Sequence, residues 1–259
     1  MEMDLPTYQL PWRTNLRVPR RVSTRRLCVL GKRQPSTQPA PSLRLWLAFS
    51  ILAALLAPSG NAQTMHQEHH PPQSAEEYAR VLEDPARDEW QKPHEVMMAL
   101  QLKSTDVVAD IGAGTGYFAR RFAMHAAKVF AIDIDPKLLE IAAKGAPPNL
   151  IALVSKPDDP LLAPASVDLI FFCDVLHHIQ DRLAYYRRMT PALKIGGRVV
   201  VVDFYKRPLP IGPPPEMKLD DEALTAEFKQ AGFLLLRKET FLPYQYFLEF
   251  GRAPDHRQR

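Results

Sequence analysis

Five residues, Val107-Val108-Ala109-Asp110-Ile111, read as a short apolar strand, and they run straight into Gly112-Ala113-Gly114-Thr115-Gly116-Tyr117. Three glycines in five positions, between a strand and a helical stretch, constrain this chain more than any other feature. Without a Cβ, the backbone can turn tightly and bring its N–H groups close to a ligand. The general reading is a nucleotide-binding strand–turn–helix. The spacing is G-x-G-x-G with an acid two residues ahead, and Tyr117 stands where a dinucleotide fingerprint carries its last glycine. No Walker lysine follows.

The rest of the chain continues the alternation. Lys128–Ile134 reads as a strand, and Pro136–Lys144 as a helix opened by proline. Leu150–Val154 and Val167–Cys173 are continuous apolar runs, as in strands buried on both faces. Tyr117–Ala126 and Pro93–Leu102 read as helices. Arg182–Leu193 is helical and is predicted to stop at Gly196-Gly197. Arg198–Phe204 is a β-branched strand, and Asp221–Ala231 is a helix ended by Gly232. Phe233–Glu239 and Tyr244–Phe250 are closing strands, expected to form a hairpin at one edge. The fold class is therefore α/β: a Rossmann-like, doubly wound sheet, mostly parallel with an antiparallel edge strand, in a single domain.

Two further features sit where ligands bind such sheets, at the carboxyl ends of strands. Asp133, in Ala131-Ile132-Asp133-Ile134-Asp135-Pro136, lies 17 residues after Gly116, a distance that fits one intervening helix and strand. A carboxylate there can accept hydrogen bonds from ribose hydroxyls. Asp135 is the rival, but its place before Pro136 suits a helix cap. The second feature is Asp168-Leu169-Ile170-Phe171-Phe172-Cys173-Asp174-Val175-Leu176-His177-His178-Ile179, an apolar strand that releases polar residues at its end.

These three features, in this order over about residues 93–205, resemble the class I S-adenosylmethionine-dependent methyltransferases. The resemblance implies that S-adenosylmethionine is the cofactor. Asp110, Gly112, Ala113, Gly114 and Gly116 would cradle its methionine part. Asp133 would hold the ribose, with Ile134 on the adenine. Asp158, of the Asp158-Asp159 pair, would sit near the adenine amino group, although Lys156 stands where many relatives carry that acid. Asp174 would face the methionine amine or the substrate edge.

His177 and His178 are the candidate catalytic residues. A base is required only where the acceptor must lose a proton, and packing or helix capping is the competing role for the pair. Tyr78 and Trp90 are either an aromatic wall over the pocket or plain core. The acceptor is expected to be a small molecule, because the proline-rich connection 208–215 leaves no room for a large recognition domain. Two other classes compete: an NAD(P)-dependent oxidoreductase, and a non-catalytic module that keeps the fold and binds a partner.

Before this domain stands a different kind of sequence. Residues 45–57 form an uncharged apolar run of thirteen, short for a membrane span and suited to a signal-peptide core. A small-residue exit follows at Gly60-Asn61-Ala62, with cleavage expected after Ala62; an uncleaved anchor is the alternative. The preceding arginines would place the domain on the far side of the membrane. Thr24-Arg25-Arg26 offers a twin-arginine reading, and the long stretch before the apolar run also fits an over-extended start, which would leave the protein cytoplasmic. Tyr78…Asp84-Pro85…Trp90-Gln91-Lys92-Pro93 resembles exported bacterial methyltransferases. The organisation is thus a leader over 1–62, a flexible tail over 63–75 and a methyltransferase domain over 76–259.

Charge divides the same way. The chain is +4, but residues 1–62 hold nine basic and two acidic residues. The remainder, with 24 basic and 27 acidic residues, is −3. A domain of that charge has no bulk attraction for nucleic acid, and any membrane contact would run through an uncleaved leader. Cys28 and Cys173 lie on either side of the expected cleavage, so no disulfide forms within the processed chain. Two cysteines also cannot build an all-cysteine zinc site. His66, His69 and His70 of the tail read as solvated residues, and no metal site is expected. The oligomeric state has no sequence signature here.

Overall fold

A computed structural model describes residues 74–254, all within one compact unit. The leader, its cleavage point and the three tail histidines lie outside the described residues. Among the described residues no helix is long and apolar enough to cross a membrane.

The first helix, α1 (Ala75–Leu82), is opened by a capping box: the Ser74 side chain accepts from the Glu77 N–H, and the Glu77 carboxylate accepts from the Ser74 N–H. Two short helices follow, α2 (Arg87–Gln91) and α3 (Pro93–Leu100). The alternating part comprises β1 (Val107–Ile111), α4 (Ala119–Ala123), β2 (Lys128–Asp133), α5 (Pro136–Ala143), β3 (Leu150–Val154), β4 (Val167–Cys173), α6 (Arg182–Met189), β5 (Leu193–Phe204), α7 (Asp221–Gln230), β6 (Phe233–Glu239) and β7 (Gln245–Arg252).

All seven strands join one sheet in the order β3-β2-β1-β4-β5-β7-β6. The pairs from β3 to β5 are parallel, and β7 runs antiparallel to both β5 and β6. The closing hairpin lies at one edge as expected, and its reversed strand β7 is tucked inside β6. The central strands face core on both sides, with a side-chain period of two. Phe172 and Ile170 of β4, with Val199 and Val201 of β5, pack against Tyr185, Tyr186 and Phe228 of α6 and α7. Leu169, Phe171, Val200 and Val202 pack on the other face against Val96, Phe118 and Phe122 of α3 and α4. This two-sided burial is why β4 and β5 read as unbroken apolar runs.

Three boundaries differ from the sequence reading. The helix α4 covers only five residues, and the carbonyls of Ala123 and Ala126 at and beyond its end accept from the Asn149 side-chain amide. The helix α6 stops at Met189, not near Gly196, since Pro191 has no N–H to continue the helical ladder and a 3₁₀ turn over Thr190–Ala192 follows. Gly196-Gly197 therefore lies inside β5, where the register against β4 slips from Val167↔Leu193 to Leu169↔Arg198. The slip is held from below: the Asp168 carboxylate accepts from Lys194 Nζ at 2.7 Å and from the Val107 N–H at 2.8 Å.

Candidate active site

Every parallel strand from β1 to β5 points its carboxyl end the same way, and β1, β2 and β5 place an acid there or one residue short of it. Asp110 lies near the end of β1, Asp133 ends β2, and Asp203 precedes the last residue of β5. Asp174 follows β4 directly.

The glycine loop sits between the tips of β1 and β2. The N–H groups of Gly112 and Ala113 both donate to the Ile132 carbonyl, at 2.8 and 2.9 Å, and Gly116 N–H donates to Ala113 O at 2.8 Å. Gly112 has φ +74°, and a Cβ there would stand 2.4 Å from Val175 Cγ2. Gly114 has φ +54°, and its Cβ would come within 3.0 Å of Leu82 Cδ1 from α1. Both positions have a left-handed backbone that favours glycine, and at Gly112 the Val175 side chain also excludes a Cβ.

Asp133 holds this loop in place. Its Oδ2 accepts from the Gly114 N–H at 2.8 Å and its Oδ1 from the Asp135 N–H at 3.0 Å. Asp135 caps α5, accepting from the Lys137 N–H. Beside it Ile134 is 56% exposed, a bare apolar surface at the β2 tip. Thr115 Oγ1 is buried in the loop without a hydrogen-bond partner. Asp110 is buried below the loop. Desolvation pushes its carboxyl up to about 7, opposed by the Ala119 N–H and Arg87.

At the end of β4, Asp174 adopts φ +56° and donates its N–H to Val202 O at 3.0 Å. Its carboxylate ends a buried relay: Arg87 Nε donates to Gln91 Oε1 at 3.2 Å, Gln91 Nε2 to Gln245 Oε1 at 2.6 Å, and Gln245 Nε2 to Asp174 Oδ1 at 2.7 Å. Burial and the nearby Asp203 push the Asp174 carboxyl up; Arg87, Gln245 and His177 oppose this. His177 follows in a 3₁₀ turn over Leu176–His178, with Nδ1 3.5 Å from Asp203 Oδ2. The His178 ring lies tilted at 43° beside that of His177, 4.1 Å between centroids, and His178 is exposed.

The lead-in helices cover this group. Tyr117 lies between the guanidinium groups of Arg87 and Arg121, 4.0 and 4.1 Å from its ring centroid, and its hydroxyl donates to Asp88 at 2.5 Å. The place of a third fingerprint glycine is thus filled by a clamped aromatic ring. Burial and the neighbouring Asp133 and Asp174 carboxylates push the Tyr78 hydroxyl up, while Arg87 opposes them. Tyr78 accordingly lies within electrostatic reach of the acids of the site. Trp90 packs on Phe204 at 5.6 Å. An open cleft of about 500 Å³ continues past the end of β5, lined by Tyr205, Lys206, Arg207, Asp220 and Thr240 among others.

The structure brings together Asp110, the glycine loop, Asp133, Ile134, Asp174 and His177. Asp158 stands apart: it is exposed and pairs with Arg188 of α6 at 2.8 Å. Arg87, Gln91, Gln245 and Asp203 join the site without having been singled out by motif. For Asp203 a signal existed, an acid breaking the run Val199–Val202 at the carboxyl end of a buried strand.

Residues 109–201 match a family model described as a methyltransferase domain. Over 149 residues the chain is 30% identical to the phosphoethanolamine N-methyltransferase of Triticum aestivum, covering 55% of this chain and 27% of that protein. It is 32% identical over 107 residues to the demethylmenaquinone methyltransferase of Tropheryma whipplei, covering 40% of this chain and 44% of that one. The chain thus spans less than half the length of these curated relatives. A solved S-adenosylmethionine-dependent methyltransferase from Aquifex aeolicus shares the fold, with TM-score 0.64 and 23% identity over 69% of this chain and 98% of its own.

Residues 109–201 carry the sequence of a methyltransferase domain, and the fold is one that S-adenosylmethionine-dependent methyltransferases share. The residues present fit that cofactor. The glycine loop leaves a side-chain-free cradle, Asp133 offers a carboxylate at the β2 tip, Ile134 offers an exposed apolar face, and Thr115 Oγ1 is a buried polar atom still open to a partner. The oxidoreductase and partner-binding readings gain nothing from these comparisons.

Two outcomes follow from this geometry. Gly112→Ala should destabilise the fold by about 2 kcal/mol or more in urea unfolding, through left-handed strain and the clash with Val175. Gly112→Ala combined with Val175→Ala should recover only the steric part. Asp110 has a folded pKa raised above its unfolded value, so its contribution to stability is full below about pH 4 and is lost as pH rises through about 7. The melting temperature should therefore fall between pH 5 and pH 8, and Asp110→Asn should flatten that slope.

Proposed function

We propose that this protein transfers the methyl group of S-adenosylmethionine to a small-molecule acceptor by in-line displacement. The observation that carries the reading is the Asp133 carboxylate, which fixes the glycine loop through Gly114 beside the exposed face of Ile134. Asp133 would hold the ribose and Ile134 the adenine. Asp110 and residues 112–116 would surround the methionine part, and Asp174 would stand between it and the acceptor. When bound, S-adenosylmethionine supplies an electrophilic methyl group on a positively charged sulfur.

The chain's own contribution is alignment and exclusion of water. Leu82 of α1 closes on the loop at Gly114, and Tyr78 lies within electrostatic reach of the acids. The relay from Arg87 to Asp174 fixes the carboxylate at the acceptor edge, and His177 lies next to it as the proton acceptor for an acceptor N–H or O–H. A small acceptor is supported by the segment after β5, where Gly212 packs within van der Waals contact of the Phe204 ring and leaves no inserted domain between β5 and α7. The curated relatives are named for phosphoethanolamine and demethylmenaquinone, both small molecules. The charge and apolar core of residues 1–62 support action outside the cytoplasm.

Calorimetric titration of the full-length protein with S-adenosylmethionine tests the reading. Micromolar binding is expected, weakened at least about tenfold in Asp133→Ala, in line with loss of charge-assisted hydrogen bonds. A folded wild-type protein that binds no S-adenosylmethionine would overturn it.

A further inference from the structure

Asp203 is fully buried, and nothing in the cofactor cradle uses it. Its Oδ1 accepts from the Phe204 N–H at 2.8 Å. Its Oδ2 has no hydrogen-bond partner, and neither has His177 Nδ1, 3.5 Å away; the two side chains are 1% and 6% exposed. Two buried polar atoms of complementary character, each otherwise unsatisfied and facing the other just beyond hydrogen-bond length, are a poor bargain for stability alone. A small rotation closes the pair, with Nδ1 as donor and the carboxylate as acceptor.

We infer that Asp203 is the positioning residue for His177, fixing the imidazole as the Nδ1–H tautomer so that Nε2 is the basic nitrogen presented to the methyl acceptor. This rests on the methyltransferase reading above. As the acceptor's lone pair bonds to the methyl carbon, its N–H or O–H proton passes to His177 Nε2, and the bond from carbon to sulfur breaks with its electrons retained by sulfur. The imidazolium so formed is stabilised by the Asp203 carboxylate. Other groups bear on the pair: Asp174 at the end of β4, Arg182 and Tyr186 of α6, Tyr246 of β7, and the buried Lys218. On His177, desolvation acts against the charged form, whereas Asp203 and Asp174 outweigh it and raise the histidine above its ordinary value; Arg182 works against them.

The test needs no known acceptor. Long-range proton–nitrogen NMR on full-length protein labelled with ¹⁵N-histidine, with His177 assigned by its loss in His177→Gln, reads tautomer and titration directly. The wild type is expected to hold neutral His177 as the Nδ1–H tautomer and to titrate it above an ordinary histidine. Asp203→Asn should release the tautomer and make His177 about tenfold easier to deprotonate, while S-adenosylmethionine affinity by calorimetry stays within about threefold. An Nε2–H tautomer in the wild type overturns the proposal, whether or not any variant folds. So does a folded Asp203→Asn protein whose His177 signals are unmoved. If the wild type binds no S-adenosylmethionine, the enzyme reading fails and the acceptor role with it, whatever the tautomer.

Discussion

Carboxylates gathered at the carboxyl end of a buried sheet are the constraint around which this domain is organised. Asp110, Asp133, Asp174 and Asp203 stand at the tips of four parallel strands, and an ionised carboxylate in such surroundings must be hydrogen-bonded, paired or protonated. Each answer is different. Asp133 takes two backbone N–H groups and so fixes the glycine loop. Asp110 rises to about 7. Asp174 is met by Gln245 at the end of the relay that starts at Arg87. Asp203 faces His177. Similar residues thus acquire distinct chemical characters from their partners alone.

The lead-in helices matter to the site for the same reason. Arg87 ties α2 to the Leu82 carbonyl, to Gln91 and to the face of Tyr117. Leu82 closes on Gly114, and Trp90 on Phe204. The segment ahead of β1 is therefore packed onto the glycine loop and the end of β5. On the far side, Lys218 donates to Arg207 O and Gly212 abuts Phe204, which draws the proline-rich connection over the end of β5. The glycine loop, the acid cluster and the open cleft consequently all lie at the carboxyl end of the parallel strands.

Much of this was legible in the sequence because it is local. Glycine spacing, the acid at the β2 tip and the unbroken apolar strands each follow from neighbours within a dozen residues. What depends on distant pairing was not. The reversed strand β7 lies inside β6 because of its seven-residue register with β5, which no periodicity announces. Gln245 looks like one step in an alternating strand, yet it meets Gln91 from 154 positions away. Helix ends failed where a stronger local rule competed, as at Pro191 against Gly196-Gly197. Asp158 follows from motif alignment alone, and in the fold its carboxylate turns to Arg188.

The most direct test of the account is a crystal structure of the full-length protein with S-adenosylhomocysteine. The account predicts the adenosyl ribose within hydrogen-bond distance of the Asp133 carboxylate, the adenine on Ile134, and the amino-acid portion along residues 110–116. A product bound elsewhere, with Asp133 contacting only Gly114 and Asp135, would contradict it.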